Sequence, residues 1–135
     1  MKKGILAALL GAGMVFLASG ELPAAGSMRV FPAKVLRVLD GDTMSLDIDM
    51  GFETHRFETV RVDGVDAPEL KTIEGRKVKE TVRALLEGKD VTFEDHGKEK
   101  YGRRLGSLIF EGQDFGQHLI KNGMAKEYHG GKREP

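Results

Sequence analysis

Apolar residues in this chain recur first with period two, then with period three to four, then with period two again. That order is the strongest constraint on its fold. From Arg29 to Leu39, Val30, Ala33, Val35, Leu36 and Val38 form a β-rich run, with Pro32 early enough to suit a strand start or edge. Asp40-Gly41-Asp42 is a hairpin turn signal, and Thr43 to Asp49 then alternates, with Met44, Leu46 and Ile48 on one face. A turn around Gly51 leads into a third strand, Phe57 to Val65, which Ala67-Pro68 ends. The period then changes: Val78, Val82, Leu85 and Leu86 form the apolar stripe of a helix, with Thr72 as its N-cap and Gly88 as its stop. Val91 and Phe93 open a fourth strand, Asp95 to Lys100 reads as a charged loop, and Tyr101 to Phe110 as a fifth strand. Asp114, with Gln117 three residues on, caps a second helix whose apolar face is Phe115, Leu119 and Ile120, and from Tyr128 onward the chain reads as a loose tail. Three strands, a helix, two strands and a helix is the order of an OB-fold: a mainly β, α+β domain built as a five-stranded barrel with two helices, whose surface commonly binds oligonucleotides.

The first residues follow another logic. Lys2 and Lys3 precede an apolar run from Ile5 to Ala18, shorter than the ~20 residues needed to span a bilayer, and small residues follow at Ala18-Ser19-Gly20 and Ala24-Ala25-Gly26. This is the pattern of a signal peptide. The expectation is a leader and lead-in over residues 1–26, a single domain over 27–135, and a secreted or periplasmic product. Membrane contact is expected only if the leader is retained. The chain has no cysteine, which excludes a lipoprotein anchor, a disulfide, a thiolate nucleophile and a zinc–thiolate site. Its 21 basic and 21 acidic side chains cancel, so any nucleic-acid chemistry must rest on a local site rather than on bulk charge.

Three segments concentrate charge where turns and strand ends expose it: Asp40-Gly41-Asp42-Thr43, Arg61 through Glu69, and Lys100-Tyr101-Gly102-Arg103-Arg104. Asp42 and Asp66 are hard oxygen ligands suited to calcium or magnesium. Glu69 can accept a proton from an attacking water. Arg61 and Arg103 can grip a phosphate and neutralise the charge of a pentacoordinate transition state. Taken singly, each motif has a plainer explanation. Asp-Gly-Asp most often serves turn geometry, Arg61 with Glu69 is a surface pair, and Arg103-Arg104 a solvated face. Asp63, Asp47, Asp49 and Glu58 read as solvated strand positions. His55, His96, His118 and His129 have no metal-ligand spacing.

Together the three segments, in this order and spacing, resemble the signature motifs of the staphylococcal-nuclease-like (thermonuclease) family, and Gly123-Met124-Ala125 resembles its Gly-Leu-Ala segment after the second helix. The match runs from about Val35 to Tyr128. The resemblance implies an OB-fold, one calcium ion, and hydrolysis of DNA and RNA with little base preference. It implies Asp42 and Asp66 as carboxylate ligands, the Ala67 backbone carbonyl as a further ligand where the family carries threonine, and Asp40 as a supporting acid. It implies Glu69 as general base and Arg61 and Arg103 as phosphate-contacting catalytic groups. Lys100 and Tyr101 then touch a terminal phosphate and Tyr128 stacks a base. The family's frequent third helix has no counterpart, and the loop after Leu70 is short. No stable protein partner is implied and a monomer is expected. The competing expectation is a catalytically silent OB module that binds single strands or a protein.

Overall fold

The computed structural model of the chain describes residues 29–130; the expected leader over 1–26 lies outside the described residues. The order of elements is β1 (Val30–Asp40), β2 (Thr43–Asp49), β3 (His55–Val62), β4 (Val65–Asp66), α1 (Ile73–Leu86), β5 (Asp90–Lys98), β6 (Arg104–Phe110), β7 (Gln113–Asp114), α2 (Phe115–Lys121) and β8 (Lys126–Glu127). Strands β1 to β3 form the expected antiparallel meander. β1 also pairs with β5, and β5 with β6. A short parallel pairing of β6 with β3, Val60↔Arg104 to Val62↔Gly106, closes these five strands into a barrel. The architecture is the mixed five-stranded barrel with two helices of an OB-fold.

β1 serves two neighbours because it bends. Its register slips between Val35 and Arg37, leaving Leu36 exposed, so that Val30 to Lys34 pair with β5 while Ala33 to Asp40 pair with β2. Pro32 sits before the β2 pairing begins, where its missing N–H costs that ladder nothing. Inside the barrel, Val35, Val38, Met44, Leu46, Val60, Val62, Phe93 and Leu108 are almost fully buried.

α1 covers this core with Gly75, Val78, Val82 and Leu86, and Thr72 caps it by accepting a hydrogen bond from the Gly75 N–H. Leu85, expected in the buried stripe, is instead partly exposed beside a cavity of about 220 Å³ that Phe110, Phe115 and His118 also line. Leu85 stands ~100° around the helix from Leu86, at the edge of the buried face rather than at its centre. α2 starts as expected, with the Asp114 carboxylate accepting from the Gln117 N–H.

Three boundaries differ from the sequence reading. The third strand stops at Val62, because Asp63 and Gly64 turn the chain, Gly64 with φ +81°. β5 runs on to Lys98 through the stretch expected as a charged loop, with a bulge at His96 between Asp95 and Gly97. β6 starts at Arg104 rather than Tyr101, since Gly102 takes a left-handed conformation (φ +86°). Just before the segment expected as a loose tail, β8 pairs with β4, and the first residue of that segment is anchored, the Tyr128 N–H donating to the Gly64 carbonyl at 2.9 Å; residues 131–135 lie outside the described residues.

Candidate functional site

The first segment is fixed by its glycine. A Cβ on Gly41 would stand 2.7 Å from Val78 Cγ1 and 2.8 Å from Ala67 Cβ, so only glycine lets this turn pack against α1 and the loop before it. The packing pushes Asp42 inward until it is 4% exposed. Its Oδ1 accepts from the Thr43 hydroxyl (3.0 Å) and its Oδ2 from the Ala67 N–H (2.9 Å). Burial by itself would raise the pKa of Asp42. Hydrogen bonding with Asp40, the Ala67 N–H, the Arg61 charge and Thr43 outweigh it and hold the carboxyl below its ordinary value. Asp40 goes the other way. Burial and then the hydrogen bond and charge of Asp42 push it up to about 6.

Arg61 is 5% exposed on β3, opposite Thr43. One terminal nitrogen, Nη2, donates to the Val65 carbonyl at 2.9 Å and lies 3.5 Å from Asp66 Oδ1 and 3.7 Å from Asp42 Oδ2. The guanidinium carbon is 5.3 Å from the centre of the Tyr128 ring. Arg61 is therefore buried rather than on the surface, and it is the counter-ion of both aspartates. Removing one member of such a cluster would leave the others' charge buried and unpaired.

Two carboxylates from separate loops thus converge on one point, with Ala67 between Asp66 and Pro68 supplying its N–H to Asp42. The donor set is all hard oxygen and fits a calcium-type cation rather than a soft metal. Among the described residues no group of three or more His, Cys, Asp or Glu is gathered as a metal cluster. A cation here would need main-chain, water or substrate oxygens in addition to Asp42 and Asp66.

Glu69 lines a groove of about 710 Å³ between the Asp66–Thr72 loop and the segment from Gly123 to Lys126. Its side chain is about half exposed and pairs with Lys71 at 3.0 Å. The Glu69 carbonyl accepts from both the N–H and the hydroxyl of Thr72, so the loop is stitched to the start of α1. Glu69 shares this groove with Asp66 and Ala67.

The third segment stands on the neighbouring strand. Arg103 directly precedes β6, and its Nε donates to Glu99 Oε1. Lys100 Nζ lies 5.0 Å from the centre of the Tyr101 ring, which is largely exposed. The structure therefore brings Asp40, Asp42, Arg61, Asp66, Ala67 and Tyr128 into one cluster, with Glu69 beside it. It leaves Lys100, Tyr101 and Arg103 on the adjoining β5–β6 turn. Sequence reasoning missed Thr43 as a buried donor, the Val65 carbonyl as the acceptor that anchors Arg61, and Glu99 as the partner of Arg103. The i to i+4 spacing of Glu99 and Arg103 was the one available signal.

Residues 59–134 match the model of the staphylococcal nuclease homologue family, a span that includes Arg61, Asp66, Glu69, Arg103 and Tyr128 but begins after Asp42. A protein of Escherichia coli O157:H7 named as an uncharacterized endonuclease is 31% identical over 103 residues, covering 76% of this chain and 64% of its own length. One of Haemophilus influenzae with the same name is 30% identical over 102 residues, covering 76% of this chain and 55% of its own length. A thermonuclease of Staphylococcus hyicus is 30% identical, covering 69% and 57% respectively. The chain thus spans less than two thirds of the length of these relatives. With more than half of its 135 residues matched by the family model, the chain belongs to the staphylococcal nuclease homologue family.

Proposed function

We propose that this protein is a calcium-dependent nuclease that hydrolyses the phosphodiester bonds of DNA and RNA with low sequence preference. The observation that carries the proposal is the convergence of Asp42 and Asp66 on the buried Arg61 guanidinium, next to the groove that Glu69 lines. Asp42, Asp66 and the Ala67 carbonyl would hold the cation, with Asp40 supporting them. A bound calcium ion supplies Lewis-acid polarisation of a phosphoryl oxygen.

The chain's own residues do the rest. Glu69, half-exposed, orients a water and takes its proton as the water oxygen bonds to phosphorus and the P–O bond to the leaving nucleotide oxygen breaks, that oxygen departing as an alkoxide which solvent protonates. Arg61 and Arg103 offer paired N–H donors to the phosphoryl oxygens as charge builds on them. Tyr128, Tyr101 and Lys100 contact the flanking nucleotides through ring stacking and phosphate attraction. With a formal charge of zero, the chain gains little from bulk attraction, and affinity rests on these few contacts. The same proposal places the protein outside the cytoplasm, as its first residues suggest; cell fractionation with an epitope-tagged chain tests that part.

The decisive test is digestion of single-stranded DNA, duplex DNA and RNA by the purified chain, with calcium and then with EGTA. Cleavage that requires calcium is expected, and Glu69→Ala should lower its rate by orders of magnitude without changing the melting temperature. A folded sample that cuts nothing under any divalent ion would refute the proposal and leave a silent binding module.

A further inference from the structure

The turn between β5 and β6 carries an ion pair that the proposed chemistry does not use. The β5–β6 ladder ends at Lys98↔Arg104, and beyond it the Glu99 N–H donates to the Arg103 carbonyl at 2.9 Å. The Gly102 N–H returns to the Glu99 carbonyl at 3.1 Å, with Gly102 in the left-handed region that glycine adopts without strain. On this frame Glu99 and Arg103 face each other, and Arg103 Nε donates to Glu99 Oε1. Their side chains are 19% and 35% exposed, so solvent screens the pair less than it would an open surface pair.

The nitrogen that is engaged matters. A guanidinium has five N–H groups in one plane, and a phosphate is best met by two of them side by side. Holding Nε leaves the two terminal nitrogens to the substrate and fixes the plane in which they lie. The register says where that plane starts. β6 runs parallel to β3 with Arg61 opposite Leu105, and Arg103 is two positions earlier than Leu105. Arg103 is the residue just before β6, so its backbone starts about 8 Å from that of Arg61, by two residues of strand rise and one strand spacing. Two long arginines from that span can meet on one phosphodiester. An unrestrained Arg103 on this turn would spend most of its time elsewhere, since an arginine has many rotamers to give up when it is fixed.

We infer that Glu99 is a positioning residue, which orients Arg103 by holding Nε so that its terminal nitrogens share a substrate phosphate with Arg61. The inference rests on the proposed nuclease reading and assigns the acid that makes its second arginine effective.

The test is steady-state cleavage of a single-stranded oligonucleotide by the full chain with calcium, comparing Glu99→Ala, Glu99→Gln, Arg103→Ala and the Glu99→Ala/Arg103→Ala double variant. Glu99→Ala should lower kcat about 10- to 100-fold, the scale of a misplaced catalytic group, and move KM far less. Glu99→Gln should recover most of the rate, because its amide oxygen still accepts from Nε. The double variant should be no slower than Arg103→Ala alone, since Glu99 acts only through Arg103. Unchanged or faster cleavage by Glu99→Ala would overturn the inference, faster cleavage meaning that Glu99 blocks Arg103 instead of aiming it. Losses that multiply in the double variant would overturn it as well. Failure of the underlying reading looks different: a parent chain that cuts nothing, or an Arg103→Ala variant at full rate, removes both.

Discussion

Asp40 and Asp42 are two residues apart, yet their carboxyl groups titrate in opposite directions. Both are buried, but hydrogen bonding with Asp40, the Ala67 N–H, the Arg61 charge and the Thr43 hydroxyl outweigh burial at Asp42, whereas at Asp40 burial, joined by the hydrogen bond and charge of Asp42, prevails and pushes it up to about 6. A raised carboxyl pKa means that the fold prefers neutral Asp40. The stability from that neutral form is complete below the unfolded value of 3.8 and is lost as pH rises through about 6. Asparagine stays neutral and can still accept the Asp42 N–H, which Asp40 Oδ1 now does at 3.0 Å. Asp40→Asn should therefore melt higher than the parent above pH about 6 in the absence of divalent ions, and the same as the parent below 3.8. It should also bind calcium more weakly if Asp40 supports the ion. Melting curves across pH check the first part and calorimetric titration the second; coincident curves at every pH would refute the electrostatic account.

At the scale of elements, α1 does more for the site than cover the barrel. Its N-terminus is pressed onto the loop that carries Glu69: Thr72 bonds to the Glu69 carbonyl, and Gly75 leaves no room for a side chain. A Cβ on Gly75 would overlap the Glu69 carbonyl and sit 2.8 Å from the Pro68 carbonyl. In an open helix Gly→Ala stabilises by about 1 kcal/mol. Here the overlap with main-chain atoms dominates, and Gly75→Ala should cost a net ~1–3 kcal/mol, the usual range for overpacking. It should lower cleavage too, because the backbone that must yield belongs to Glu69. Urea unfolding and cleavage assays on the one variant test both, and a more stable, fully active protein would show that α1 and the loop move apart freely.

Across the whole molecule, the turn between Arg61 and Asp66 is held from three sides of the barrel. The Asp63 N–H donates to the Gly106 carbonyl on β6, and the Gly64 carbonyl accepts from Tyr128 beyond β8. From the β5 bulge, His96 sets Nδ1 2.7 Å from Asp63 Oδ2 and Nε2 3.0 Å from Glu94 Oε1. Burial disfavours charge on His96, but hydrogen bonds to Glu94 and Asp63, with their charges, prevail and raise its pKa above 6.5. A raised histidine pKa gives stability that is fully present below 6.5 and is lost as pH rises through the folded value. His96→Ala should thus lower the melting temperature more at pH about 6 than at pH about 9. A deficit that does not vary with pH would mean that His96 acts through packing alone.

The sequence by itself determined the order of strands and helices, both helix caps and the three charged segments. Each of these is written in neighbouring residues: alternation at Met44, Leu46 and Ile48, the three- and four-residue stripe at Val78 and Val82, an acid or hydroxyl three residues before the N–H it caps. Only the tertiary structure decided that Arg61 is buried between two aspartates, that Val65 anchors it, that β8 pins the residues before Tyr128, and that His96 braces the Arg61–Asp66 turn. Those contacts join residues far apart in the chain, or, as in two-residue β4 and β8, involve too few residues to show a period. Burial, too, is a property of what packs on top. Asp42 reads as an ordinary turn residue until Gly41 lets α1 and Ala67 close over it; that closure brings the Ala67 N–H and the Arg61 charge whose effect outweighs burial, and with them the site itself.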